Sequence, residues 1–172
     1  DVSDPVNPVK TGQWSGASFD KGCAAICVDG DFAYLGAMEK GVIVVDISNP
    51  SGPQYVSHVE LDLNWPVPPG VFSVPHARGL ALRNNDLWVC FDAGGLRRVD
   101  VSDKQNPVEV VKYRNETLDA VAQPAYNTAA IVGDYLYAAV DYCGLDVVDI
   151  SDPDQPYTNT WLNPWNCTNL NW

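Results

Sequence analysis

The feature that most constrains the fold is a short motif, Asp-(Val/Ile)-Ser-(Asp/Asn), which occurs four times in the 172 residues. Its copies begin at Asp1, Asp46, Asp100 and Asp149, at intervals of roughly 50 residues. An internal period of this length is typical of repeat architectures such as solenoids and propellers. The motif therefore predicts a chain built from similar structural units.

The likeness between the units extends well beyond the motif. A glycine stands five positions before the aspartate in three copies, and the residues between them are rich in β-branched side chains, which favour strands. These glycines are Gly41, Gly95 and Gly144. A further aspartate, 14 or 15 residues before the motif, opens a run of alternating aromatic and aliphatic residues that also predicts a strand. These aspartates are Asp31, Asp86 and Asp134.

Turn-forming residues separate the predicted strands. Asp29-Gly30, Asn84-Asn85 and Gly133-Asp134 suit tight hairpins, and the prolines after each motif end a strand. Each unit then has four short antiparallel strands, as propeller blades do, and no amphipathic helix stands out. We predict an all-β, propeller-type protein of about three blades, incomplete or completed by neighbouring chains.

The repeat divides the single domain into blades and connecting segments. We assign residues 21–63, 76–118 and 119–161 to blades 1, 2 and 3. The remaining segments are an outer strand of a preceding blade (residues 1–20), a proline-rich insertion (64–75) and a tail (162–172). Because the chain opens inside a motif, we expect a processed product, a proteolytic core or a piece of a longer protein.

Charge and hydropathy exclude some partners. The formal net charge is −12, with 10 Lys and Arg against 22 Asp and Glu, so nucleic-acid phosphates would be repelled. No apolar run approaches the roughly 20 residues that span a bilayer, so we expect no membrane insertion. The acidity favours solubility above all.

Cysteines and sequons suggest the cellular compartment. The odd number of cysteines permits two internal disulfides at most. The disulfide candidates are Cys23, Cys27, Cys90, Cys143 and Cys167. Asn115 and Asn166 head Asn-x-Thr sequons, which accept glycans in secreted proteins. Together with the acidity, these features favour an extracellular or cell-surface glycoprotein.

The strand sequences resemble a known family, the LVIVD repeat. The resemblance rests on Val42-Ile-Val-Val-Asp-Ile47, on Val147-Val-Asp-Ile150 with the Ser-Asp-Pro that follows, and on Gly133-Asp-Tyr-Leu-Tyr137. It covers about residues 21–161 and implies a β-propeller of secreted or surface proteins, without a single assigned activity. Blade 2 departs from the pattern, since Arg97 and Arg98 replace aliphatic residues.

Residues before the first strand of each blade are candidates for a ligand site, because the innermost strand of a propeller lines its channel. Alignment on Asp31, Asp86 and Asp134 matches His76 with Lys21, and Arg78 with Tyr126. We therefore predict that these four side chains, Lys21, His76, Arg78 and Tyr126, face the channel.

No catalytic, metal or cofactor site is predicted. The sequence has no nucleophile elbow, phosphate loop or dinucleotide fingerprint, and its two histidines lack carboxylates at metal-ligand spacing. The recurrent Asp46, Asp100 and Asp149 admit two interpretations, calcium ligands or anchors of the turn after the strand. Because the motif recurs in every unit whatever its flanks, we favour the turn anchors.

These observations predict a non-enzymatic extracellular module with a structural or interaction role. Unpaired terminal strands are templates for further pairing, so we expect self-association into an oligomer or a filament. The alternative is a fragment of a larger surface β-propeller that binds a ligand.

Overall fold

The computed structural model describes residues 1–66, 74–119, 124–141 and 143–164. Three four-stranded antiparallel sheets follow one another, and the strands of each lie side by side in sequence order. Blade 1 contains β1 (Ala25–Asp29), β2 (Phe32–Gly36), β3 (Val42–Asp46) and β4 (Gln54–Val59). Blade 2 contains β5 (Gly79–Arg83), β6 (Asp86–Cys90), β7 (Leu96–Asp100) and β8 (Val108–Tyr113). Blade 3 contains β9 (Tyr126–Val132), β10 (Tyr135–Val140), β11 (Gly144–Asp149) and β12 (Tyr157–Leu162).

The blades stand side by side in chain order, because strand β5 packs between β1 and β9. The prediction of an all-β, propeller-type fold with three four-stranded blades is confirmed. A single turn of helix, α1 (Glu116–Asp119), follows blade 2. No helix in the described ranges is long and apolar enough to cross a membrane.

The recurring glycine lies where the chain turns from the second to the third strand of each blade. Its φ is 78° at Gly41, 81° at Gly95 and 88° at Gly144, in the left-handed region that favours glycine. A Cβ would lie 2.2 Å from the Val59 carbonyl oxygen in blade 1 and 2.4 Å from that of Tyr113 in blade 2. The glycine therefore lets the outer strand approach the hairpin closely.

In the structure, the strands of blade 2 are offset by one residue from the alignment on Asp31, Asp86 and Asp134. Asp86 lies within β6 and pairs with Asp100, whereas Asp31 and Asp134 lie in hairpin loops, one residue before β2 and β10. The cause is the two-residue loop Asn84-Asn85 of blade 2, which ends before the aspartate. The aligned aspartates are therefore not equivalent in the three blades.

Apolar cores lie between adjacent blades. Between blades 1 and 2, Tyr34 and Val42 pack in one cluster with Leu87 and Val89. A second cluster joins side chains of blades 2 and 3, among them Trp88, Cys90, Leu96, Leu136, Ala138 and Val148. Full burial of such a side chain stabilises by about 1.5–3 kcal/mol, so the blades stabilise one another.

Arg97 is buried in β7 and fastens the segment between blades 1 and 2. Its Nε donates to the Gly94 carbonyl oxygen at 2.8 Å, and its Nη2 donates to the carbonyl oxygens of Asp62 at 3.0 Å and Trp65 at 2.9 Å. Nη1 forms an ion pair with Glu109. Burial lowers the pKa of Arg97, and the charge of Glu109 opposes that change. The residue that departs from the family pattern is thus a structural anchor.

All four copies of the motif close the same loop. The first side chain accepts a hydrogen bond from the backbone N–H two residues later, at 2.8–2.9 Å. The fourth side chain does the same at 2.9–3.1 Å. Hydrogen bonds from the serine of the motif lower the pKa of Asp46, Asp100 and Asp149. The aspartates therefore hold the turn within each unit.

Replacing Asp100 with alanine should lower the free energy of unfolding by about 1 kcal/mol, because one hydrogen bond of the loop is lost. The expected fall in melting temperature is about 2–4 °C. Asp100→Asn should lower the free energy of unfolding less, since an amide oxygen can accept the same kind of hydrogen bond. Asn49 does so at the fourth position of the blade 1 motif. A calcium-dependent rise in melting temperature that Asp100→Asn abolishes would contradict the turn role.

Residues 1–20 form no strand, unlike the prediction. An outer strand needs a third strand of the same sheet to pair with, and the described residues provide none for this segment. Instead, Trp14 and Phe19 pack on Ile43 and Val45, on the face of blade 1 that is turned away from blade 2. Residues 67–73 of the predicted insertion and 165–172 of the predicted tail lie outside the described residues.

Candidate functional site

Four polar side chains meet at the start of strand β5, and we call them the inner-edge cluster: Glu39, His76, Arg78 and Asp92. The turn between β2 and β3 reaches blade 2 through a backbone bridge between Met38 and Ala77, which brings Glu39 beside His76. Sequence reasoning singled out His76 and Arg78 but missed the two carboxylates. Both carboxylates lie in the turn just before the recurring glycine, and that position could have identified them.

His76 lies between two carboxylates in this cluster. Its Nε2 is 3.6 Å from Glu39 Oε2, and its Nδ1 is 3.6 Å from Asp92 Oδ2. Nδ1 is buried and makes no hydrogen bond, while Arg78 Nε donates to Asp92 Oδ2 at 2.9 Å. The cluster therefore offers carboxylate acceptors and an exposed guanidinium to a small polar ligand. Over the described ranges, no three His, Cys, Asp or Glu side chains are grouped to hold a metal ion.

The other two channel candidates lie elsewhere. Lys21 is exposed and lies four residues before strand β1. Tyr126 is fully buried between blades 2 and 3 and does not face a channel. The backbone bridge between Asp92 and Tyr126 repeats the bridge between Met38 and Ala77, so Tyr126 corresponds to Ala77 and not to Arg78. The error comes from the one-residue shift in blade 2.

Tyr126 belongs to a buried polar group centred on Asp146, which is fully buried. Asp146 accepts hydrogen bonds from the Tyr126 hydroxyl at 2.9 Å and from Asn115 Nδ2 at 3.0 Å, and the Tyr113 hydroxyl lies at 3.4 Å. Burial raises the pKa of Asp146, Tyr113 and Tyr126. Sequence reasoning missed this group. Its signal was a carboxylate three residues before the motif, where blade 1 has Ile43.

The first sequon is part of the same group. Asn115 is buried, and its Oδ1 accepts hydrogen bonds from the N–H groups of Thr117 at 3.0 Å and Leu118 at 3.2 Å. Its Nδ2, the atom that would carry a glycan, donates to Asp146. Asn115 is therefore the cap of helix α1 and not an accessible glycan acceptor in the folded chain. Asn166 lies outside the described residues.

Four of the five disulfide candidates lie among the described residues. No disulfide joins any two of Cys23, Cys27, Cys90 and Cys143. Cys23 is exposed, whereas Cys90 is buried in the core between blades 2 and 3, and burial raises its pKa to about 12. Such a thiol is inert as a nucleophile at neutral pH. Cys167 lies outside the described residues.

Among the described residues, blade 3 has a free face, which is turned away from blade 2 and on which no strand of another blade packs. By strand pairing, its Tyr137 and Leu145 correspond to Trp88 and Leu96 of blade 2, which are fully buried in the next junction. In blade 3 the two side chains are only half-buried, and Leu162 beside Leu145 is 54% exposed. A cavity of about 590 Å³ opens here, lined by Ala139, Gly144, Leu145, Leu162, Asn163 and Pro164.

Blade 1 has the complementary free face. Its Ile26 and Val28 correspond by strand pairing to Leu80 and Leu82, which pack in the junction between blades 1 and 2. Ile26 is 63% exposed and Val28 is 55% exposed. The outer half of this face is covered by Trp14 and the neighbouring residues, while the inner half is open. The two free faces thus have the chemistry of the two sides of an internal blade junction.

Three solved structures resemble parts of this fold. A europium-containing methanol dehydrogenase has a TM-score of 0.53 and 14% identity, over 79% of this chain and 25% of that chain. The computationally designed Ika8 protein gives 0.49 and 13%, over 76% of this chain and 33% of that chain. The Cps50 (Swd1) β-propeller domain of Myceliophteria thermophila gives 0.47 and 16%, over 79% and 38%. The chain thus spans well under half of each structure, and at these identities the likeness concerns the fold alone.

Comparison with curated proteins gives no match. The family model of the LVIVD repeat, in contrast, matches residues 23–60, 76–115 and 127–159. Each matched segment contains the strands of one blade, apart from the first residue of β9 and the last three of β12, and together the segments make up more than half of the chain. The chain belongs to the LVIVD repeat family.

Proposed function

We propose that this chain is a non-enzymatic, extracellular or cell-surface interaction module that associates with further copies of itself. The free face of blade 3 in one copy packs against the free face of blade 1 in the next. The observation that carries the proposal is the partial exposure of Tyr137 and Leu145 of blade 3, whose equivalents in blades 1 and 2 are core residues of a blade junction.

The chemistry of the two faces supports this pairing. Leu80 and Leu82 of blade 2 meet blade 1 in the internal junction, and blade 1 presents Ile26 and Val28 at the same positions. Contacts between copies would therefore repeat contacts that already exist within one chain. Exposed apolar patches rimmed by polar residues mark sites of protein interaction.

The geometry of such a contact is head-to-tail, since two different faces meet. A head-to-tail contact gives a ring when its rotation closes and a filament when it does not. Propellers close with about four to eight blades, so two or more three-bladed copies are needed to close one.

Leu145→Lys should abolish self-association, measured by size-exclusion chromatography with light scattering. A lysine buried without a partner in an apolar contact weakens binding by roughly 100-fold or more. The wild type should elute as a multiple of the 18.7 kDa chain, and the variant as a monomer. Val108→Lys is the matched control, because Val108 is an exposed residue of β8, away from both free faces.

A mixture of two single variants tests the head-to-tail geometry. Val28→Lys should block the blade 1 face, as Leu145→Lys blocks the blade 3 face. Each variant alone should be monomeric, whereas an equimolar mixture should form dimers, because one intact face of each kind remains. A mixture that stays monomeric would contradict the head-to-tail contact.

The inner-edge cluster favours a second candidate function, ligand binding by a larger surface propeller of which this chain is a part. His76 between Glu39 and Asp92 is the observation that supports it. A wild-type chain that remains a monodisperse monomer of about 19 kDa at every concentration would exclude self-association and favour this alternative.

A further inference from the structure

The N-terminal arm, residues 1–20, covers the outer half of the blade 1 free face. The Trp14 and Tyr55 rings are stacked with centroids 6.4 Å apart, and the Phe19 and His58 rings meet edge to face with centroids 5.4 Å apart. Beneath them, Ile43 and Val45 are almost fully buried. These positions correspond to Arg97 and Val99, which lie on the face of blade 2 that meets blade 1. The arm therefore covers residues of the junction type.

Side-chain packing, together with a close approach of Gly12 to the backbone of Pro50, attaches the arm to blade 1. Its backbone hydrogen bonds close loops within the arm, such as Val9 to Asp1 at 2.9 Å and Phe19 to Gly16 at 3.0 Å. In the described ranges, none of them reaches a strand of blade 1. Detaching the arm would thus break aromatic and apolar contacts but no backbone ladder.

The contact is also open to solvent at one edge. A surface pocket of about 380 Å³ lies between the arm and blade 1, lined by Trp14, Gly16, Ala17, Ser18, Phe19, Tyr55 and His58. Trp14 and Phe19 stay partly exposed beside it, and segments with so little burial open at a low cost in free energy.

We infer that the N-terminal arm is a removable cover that limits self-association, an inference that rests on the proposed function. While the arm is in place, a second copy meets only Ile26 and Val28 on the inner half of the face. When the arm detaches, the outer half around Ile43 and Val45 becomes available to blade 3 of that copy. Self-association and attachment of the arm then compete for the same side chains.

The test is the dissociation constant for self-association of Trp14→Ser, measured by analytical ultracentrifugation. Loss of the aromatic contact should strengthen self-association about tenfold, because less binding energy holds the cover in place. Val9→Ser is the control within the arm, since Val9 is 64% exposed, and it should leave the constant unchanged.

Leu145→Lys separates specific association from general aggregation. The double variant Trp14→Ser/Leu145→Lys should be monomeric; aggregation of this variant would overturn the inference. An unchanged or weaker association of Trp14→Ser, while Leu145→Lys still dissociates the wild type, would also overturn it and leave the proposed function intact. Failure of Leu145→Lys to dissociate the wild type would instead count against the proposed function.

Discussion

Arg97→Ala should lower the free energy of unfolding by about 3–5 kcal/mol, the cost typical of breaking a buried ion pair on one side. The guanidinium is fully buried and donates to three backbone carbonyl oxygens as well as to Glu109. Alanine would leave those acceptors without their donor. Urea denaturation followed by tryptophan fluorescence measures the change.

Glu109→Gln is the matched control for this prediction. It removes the charge of the partner and keeps one acceptor. Glu109 accepts from Arg97 through Oε1 and from the Asp62 N–H through Oε2 at 3.2 Å, and the amide oxygen of glutamine can replace only one of these. The hydrogen bonds from Arg97 to the three carbonyl oxygens stay in place. The loss should therefore be clearly smaller than for Arg97→Ala. Equal losses for the two variants would show that the charge pair, and not the carbonyl contacts, provides the anchoring.

The free energy of unfolding of the wild type, taken relative to that of Asp146→Asn, should fall as the pH rises from below 4 to 7. Burial raises the pKa of Asp146, so the folded chain binds this proton more tightly than the unfolded chain. The resulting stabilisation is complete below the unfolded pKa of about 3.9 and is lost as the pH rises through the folded pKa. Asparagine does not titrate, so only the wild type loses this contribution, about 1.4 kcal/mol per unit of the shift.

Asp100→Asn provides the control of opposite sign. Hydrogen bonds from Ser102 lower the pKa of Asp100, so its contribution is present above the unfolded pKa and is lost as the pH falls. The free energy of unfolding of the wild type, taken relative to that of Asp100→Asn, should therefore rise with pH over the same range. Urea unfolding of the three proteins at several pH values measures both trends. If both relative free energies of unfolding changed with pH in the same direction, the raised pKa of Asp146 would be contradicted.

The sequence predicted the blades well because their determinants are local. The motif fixes its loop through neighbours two residues away, and the glycine at φ 78–88° fixes the turn before β3, β7 and β11. Such patterns can be recognised without knowing which residues meet in space. The hairpin of blade 2 was misaligned for the same reason, since Asn84-Asn85 and Gly133-Asp134 both suit a two-residue turn but end at different offsets from the aspartate.

The sites were harder to predict because they join residues that are distant in the sequence. Asn115 heads a sequon by its local pattern, yet its amide is bonded to Asp146, 31 residues away. Arg97 interrupts an aliphatic strand, and two of the carbonyl oxygens that accept its hydrogen bonds belong to Asp62 and Trp65, more than 30 residues away. The inner-edge cluster likewise needs turns from two blades. Periodicity in one chain does not report such pairings.

The loop of the first motif bears on how the chain folds. Asp1 and Asp4 accept the same hydrogen bonds as their counterparts, although residues 1–20 contain no strand. Structure that forms without distant partners can arise early, and each blade joins strands that are consecutive in sequence. A growing polypeptide could therefore complete one blade while the next is still being synthesised, which lessens the time that its apolar faces are open to misassociation.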